Sequence, residues 1–317
     1  MINRILLRIK VIQILYAYYK GEDQNLGKAE GELKDSIEKT YDLYIYLLLL
    51  IPAITEYAEN RLKKKGTEAG DGLRMPSKKF IANKFAKQVA ETEELMQYAE
   101  EHELSWSAKK NTVIKSLLEA IMAFDLYEKY NNEGLDSTYD EDKELWKKIF
   151  RQVIASSELL GKDLEDTSIY WNADLEIVHS FVVKTIKAYK EENGTKQELL
   201  PMLKDEEDQE YVSTLLRTAI ANEKEYNEMI DSHIDTKKWD TDRIAFMDRI
   251  IMQTALAELI SFPTIPVNVT LNEYIEIAKE YSTSKSNTFI NGVLDALVED
   301  LRKENKLMKV AFYSNKQ

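Results

Sequence analysis

The sequence predicts an all-α protein, and three observations carry that expectation. Ten glycines and five prolines in 317 residues leave little turn material for a β-rich chain, while 31% charged and 44% hydrophobic residues suit long amphipathic helices. Apolar residues recur at three- and four-residue steps along most of the chain. The periodic stretches are separated by short clusters of Gly, Pro, Asn and Ser.

The first element is a helix over residues 3–20. Ile5, Ile9, Ile12, Tyr16 and Tyr19 form one stripe, and Leu6, Leu7, Val11 and Leu15 cover other faces, so this helix is expected to be central and buried. Gly21 to Gly27 is a polar loop. A long helix follows over about 31–65, with Pro52 expected to kink or break it. Lys65 to Gly72 holds three glycines in eight residues and marks a linker near 65–76. Helical periodicity resumes over roughly 77–103, 107–131, 140–161 and 172–193. It returns over about 207–234, where Val212, Leu215, Leu216, Ala219, Tyr226 and Ile230 are displayed.

Three further helices close the chain. Ile244, Met247, Ile251, Ala255 and Leu259 give the first an apolar face, and Phe262-Pro263 stops it. Pro266 and Asn268 open the second, where Thr270-x-x-Glu273 has the spacing of a capping box. Ser282-Thr283-Ser284 breaks the pattern again and offers hydroxyl caps to a third helix carrying Phe289, Ile290, Val293, Leu294 and Leu297.

This stretch resembles the C-terminal half of the NusB family of bacterial transcription antitermination factors. The resemblance rests on Trp239-x-x-x-Arg243, Asp248-Arg249, Glu258-Leu259, Ile265-Pro266-Val267, Leu271-Asn272-Glu273, Ala278-Lys279 and Phe289-Ile290-Asn291-Gly292-Val293-Leu294-Asp295. Val11 to Tyr16 is similar to the family's first helix. The resemblance implies a NusB-like helical bundle of two small subdomains, its first helix at 1–20 and its remainder at 205–304. Residues 21–204 then form a helical insertion, or an internal duplication, since 37–62, 145–164 and 211–230 share a loose aromatic-then-leucine pattern. Residues 305–317 are a C-terminal tail.

Composition excludes several classes of function. Without cysteine there are no disulfides, thiolate metal sites or cysteine nucleophiles. His102, His179 and His233 are far apart and form no His-x-x-x-His pair, so no metal is expected. The sequence has no Gly-x-Ser-x-Gly, Walker-type loop or dinucleotide fingerprint, so neither an enzyme nor a cofactor is expected. Leu43 to Ile54 is the most apolar stretch, and it falls short of the ~20 residues of a membrane span. A cytoplasmic protein without a membrane partner is expected.

The net charge of −13 disfavours broad nucleic-acid affinity, so RNA contacts must be local. The first twenty residues carry Arg4, Arg8, Lys10 and Lys20 with no acid. The family resemblance implies binding of single-stranded boxA-type leader RNA together with ribosomal protein NusE, within the RNA polymerase antitermination complex. Such binding needs cations for phosphates, amides for base edges and an aromatic ring for stacking. Arg4 and Arg8 match the family's N-terminal arginines, with Lys10 a further candidate from nearly the opposite side of the helix. Lys285, Asn287, Phe289 and Asn291 form the second candidate patch, the two amides being four residues apart. Asp248 matches a family acid that faces NusE, with Arg249 beside it. The alternative is a helical interaction scaffold that keeps NusE binding and has little RNA affinity.

Overall fold

The computed structural model describes residues 3–64, 74–106, 111–134, 136–234, 245–283, 285–307 and 309. Trp239, Arg243, Ile244, Ser284 and the glycine linker at 65–72 lie outside the described residues. Every regular element among the described residues is helical. In chain order these are α1 (Arg4–Lys20), α2 (Leu26–Leu48), α3 (Leu50–Lys64), α4 (Lys78–Ile81), α5 (Lys84–Glu91), α6 (Glu93–Glu101), α7 (Asn111–Ala123) and α8 (Asp125–Asn132). They continue with α9 (Tyr139–Ile149), a π-helical turn Phe150–Ile154, α10 (Glu158–Thr167), α11 (Trp171–Ala188) and a 3₁₀ segment Glu191–Lys196. The last five are α12 (Glu206–Ala221), α13 (Glu223–Ser232), α14 (Phe246–Ser261), α15 (Val267–Tyr281) and α16 (Ser286–Lys303). None of these helices is long and apolar enough to cross a membrane.

The chain divides into two compact units, Met1–Ile37 with Leu203–Gln317, and Glu38–Met202. The centre of unit 1 is α14, which packs against α1, α12, α13, α15 and α16. Every residue from Ile250 to Leu259 is buried, as expected of a helix that is apolar nearly all round. The middle of α1 is equally enclosed, with Leu6 to Ile12, Ile14 and Leu15 buried. In unit 2 the buried run Leu43–Ile51 ends α2 and starts α3. There Phe80 lies 5.5 Å from the ring of Trp146, and Phe85 meets Tyr189 edge-on at 5.3 Å.

The long helices expected from periodicity are cut shorter than predicted, and local caps explain where. The break before α3 falls at Leu49, so Pro52 sits in the first turn of α3, where a missing N–H costs nothing. The stretch 77–103 becomes three helices because the Asn83 side chain accepts from Ala86 N–H (2.8 Å) and caps α5, and Thr92 separates α5 from α6. Asn222 divides 207–234 into α12 and α13. The expected capping box at Thr270 is absent: α15 starts after Pro266, and Thr270 lies buried within it.

One consequence concerns pH. His179 on α11 is largely buried, and its Nε2 has no hydrogen-bond partner among the described residues. Burial pushes its pKa down from 6.5 to about 4. The unfolded chain then binds the proton first as pH falls, so stability is expected to drop between about pH 6.5 and 4. The full loss is on the order of 3 kcal/mol. Urea midpoints at several pH values should therefore decline in this window, and His179→Leu should flatten that part of the profile.

Candidate nucleic-acid interface

Two clusters lie at opposite ends of α14. At its C-terminal end the fully buried Glu258 accepts hydrogen bonds from four side chains. Arg8 donates from Nε at 2.7 Å and Nη2 at 2.9 Å, and Thr270 Oγ1 at 2.7 Å. The hydroxyls of Tyr211 and, at 3.4 Å, Tyr274 complete the set. Burial opposes the Arg8 charge, yet its hydrogen bonds and charge pairing with Glu258 raise its pKa above the ordinary value. Arg4, one turn earlier on α1, is a third exposed and is held by Glu207 at 2.7 Å and Asp208 at 3.0 Å. A depression of about 360 Å³ opens beside these residues, lined by Arg4, Ile5, Arg8, Pro266, Val269 and Glu273.

At the N-terminal end of α14, Asp248 is buried and shapes the turn between α15 and α16. Its carboxylate accepts from Ser282 Oγ and, at 2.8 Å, from Ser286 Oγ. The serines therefore serve Asp248 and do not cap α16, whose N-cap position is Lys285 with no side-chain cap bond. The turn leaves Lys285 exposed and Asn287, Phe289 and Asn291 half-buried. The Asn287 Oδ1 accepts from Thr288 N–H at 2.8 Å, and Asn291 Nδ2 donates to Asp295 at 3.0 Å. Their side chains keep further donor and acceptor capacity.

Three predicted site residues sit elsewhere than on a free surface. Arg8 is 2% exposed, because α15 and Tyr211 of α12 close over the Glu258 pair. Lys10 is 1% exposed on the inner side of α1. Asp248, expected to face a protein partner, is 4% exposed and points inward to the two serines. Arg249 is accessible but engaged, with Nη2 2.9 Å from Asp231 and Nη1 3.4 Å from Asn227 on α13.

The structure also assembles a cluster that lies outside the expected site residues. Tyr16, 39% exposed, meets Phe246 edge-on at 5.4 Å, and Lys20 Nζ lies 4.4 Å from the centroid of the same Phe246 ring. Phe246 begins α14, two residues before Asp248, so this platform shares an end of the helix with Lys285 and Asn287. At ~1.5 Å per residue, Glu258 is roughly 18 Å further along the axis than Phe246. Only the pairing of an aromatic stripe on α1 with a basic residue at position 20 hinted at it.

Among the described residues no group of His, Asp or Glu is arranged to hold a metal ion. The NusB family model matches residues 173–299. That match begins within α11, ahead of Leu203 where unit 1 resumes. The transcription antitermination protein NusB of Salinibacter ruber is 36% identical over 134 residues, which cover 40% of this chain and 82% of that protein. The protein of the same name from Chloroherpeton thalassium is 30% identical over 43% of this chain and 62% of its own length. That of Methylacidiphilum infernorum is 36% identical over 30% of this chain and 66% of its own. No solved structure matches.

Proposed function

Because this chain belongs to the NusB family of non-enzymatic transcription antitermination proteins, we propose that it holds single-stranded boxA-type leader RNA together with ribosomal protein NusE. In this reading it acts in the cytoplasm, within the RNA polymerase antitermination complex, and promotes transcription of ribosomal RNA operons. The observation that carries the RNA reading is that an aromatic pair with Lys20 and the start of α16, with Lys285 and Asn287, share one end of α14, Asn291 following one turn along α16. Those are the parts that single-strand recognition requires: stacking on Tyr16 and Phe246, phosphates at Lys20 and Lys285, base edges at Asn287 and Asn291. Phe289 flanks this group. Buried Asp248 acts indirectly, by fixing the turn that presents Lys285.

NusE, a ribosomal protein and therefore basic, calls for an acidic counterpart. The exposed side of α13, with Glu225, Glu228 and Asp231, supplies one, and Arg249 braces it from α14.

Substitutions separate these roles. Lys20→Ala and Lys285→Ala should each weaken binding of all RNAs alike and flatten the salt dependence of log affinity by roughly 0.7. Asn287→Ala should blur discrimination between boxA-type and scrambled RNA while leaving the slope nearly unchanged. Phe289→Leu should cost on the order of 1–3 kcal/mol of RNA binding if the ring stacks on a base. Arg4→Ala should alter the slope little, since Glu207 and Asp208 already offset its charge. A set in which Lys20, Lys285 and Asn287 variants alter stability but none alters RNA affinity would overturn the RNA site. It would leave a scaffold that binds NusE alone.

A further inference from the structure

Unit 2 contains a charge asymmetry that the reading of unit 1 does not use. Residues 61–87 carry nine Lys and Arg against two acids, in a chain of net charge −13. Both acids, Glu68 and Asp71, fall among residues 65–73, which lie outside the described residues and take no part here. Across 61–64 and 74–87 there are eight cations and no acid.

The fold fixes this segment in place. Arg61 Nη2 donates to the Arg74 carbonyl at 2.6 Å, joining the end of α3 to residue 74. The Ser77 N–H donates to the Tyr127 hydroxyl at 2.9 Å, and Lys79 Nζ to the Tyr130 carbonyl at 2.7 Å, so residues 77–79 are tied to α8. Both α4 and α5 pack against α3. Lys84 Nζ donates to the Ser137 carbonyl at 3.0 Å, a neutral partner that leaves its charge uncancelled. Lys78 and Lys84 are exposed, as is Lys87, whose side chain is 75% accessible and 3.9 Å from Glu91. Arg61 is paired with Glu119 at 2.5 Å in a partly buried contact and is set aside as a phosphate ligand; Glu59 with Lys63 at 2.7 Å and Glu128 with Arg74 at 3.7 Å are solvent-facing pairs. Such pairs hold weakly and can exchange for a phosphate.

We propose that this cationic segment of unit 2 is a second RNA-binding surface, one that holds phosphates without reading sequence. The segment's own aromatic rings, Phe80 and Phe85, are fully buried and so unavailable for stacking. What remains is a set of exposed point charges, which suits backbone contact and counterion release. The choice of RNA over another polyanion rests on the reading of unit 1, although the surface itself shares no residue with that site.

The test uses the full-length chain carrying Lys78→Gln, Lys84→Gln and Lys87→Gln together, with a ~30-nucleotide polyuridylate as the sequence-free probe. The expected result is an affinity loss of at least about tenfold near 50 mM salt and a salt slope lowered by about 2, one phosphate contact per lysine. Arginine at the same three positions should restore both, and the thermal midpoint of all variants should stay near the parent's. Discrimination between boxA-type RNA and polyuridylate should rise in the glutamine variant, because the sequence-blind contribution is removed. Unchanged polyuridylate affinity and slope would overturn the proposal and assign the segment to an acidic protein surface or to solvent. A parallel Lys285→Ala/Asn287→Ala variant separates the two sites. If it loses discrimination while the lysine variant changes nothing, the unit 1 reading survives and this one fails; the reverse pattern fails unit 1 alone.

Discussion

Replacing Glu258 with alanine is expected to cost about 3–5 kcal/mol, the largest effect of any single substitution in unit 1. The carboxylate is fully buried and opposes Arg8, whose side chain is itself only 3% exposed. Its loss would strand a guanidinium and leave the Tyr211 and Thr270 hydroxyls without their acceptor. The same network joins α1, α12, α14 and α15, so the damage should spread through the unit and not stay at one contact. A urea-unfolding midpoint checks the magnitude. Glu207→Ala, which removes the exposed partner of Arg4, should shift that midpoint by no more than about 0.5 kcal/mol. Pairing Glu258→Leu with Arg8→Met should recover much of the loss, because a buried ion pair replaced by apolar groups of similar volume is often near neutral. Failure of the double variant to recover would mean that the hydrogen bonds, and not the stranded charge, dominate.

Trp146→Ala is the counterpart in unit 2, with an expected loss of about 3–5 kcal/mol. Trp146 is fully buried against Phe80, and its ring nitrogen has no hydrogen-bond partner among the described residues. The loss is therefore one of packing and cavity formation. Since each unit has its own core, amide hydrogen exchange should rise in α5, α9 and α11 while α14 keeps its protection. Equal loss of protection in α14 would show that the two cores unfold as one.

The helical class was legible because its signals are local: little Gly or Pro, and apolar steps that repeat along the chain. Helix boundaries were less so. Asn83, Thr92 and Asn222 are ordinary cap and turn residues, but apolar periodicity runs straight through them and hides the breaks. The candidate site divides in the same way. Spacing alone could put Lys285, Asn287 and Asn291 on one helix, where they are exposed or half-exposed. Arg8 and Lys10 could not be judged, because the acid that buries Arg8 lies 250 residues away in sequence. Asp248 was readable as a motif position while its orientation was not, since that depends on Ser282 at the end of α15 and Ser286 at the start of α16. The Tyr16–Phe246 pair is likewise a product of tertiary packing between α1 and α14.

In the proposed function, one end of unit 1 binds RNA in partnership with NusE. This is tested most directly by titrating labelled boxA-type RNA with the full-length chain, with and without purified NusE, and repeating both titrations with the Asn287→Ala variant. RNA binding should tighten when NusE is present, and discrimination against a scrambled RNA should fall in the variant. Stable association with NusE without any RNA uptake, at low salt as well as physiological salt, would contradict it.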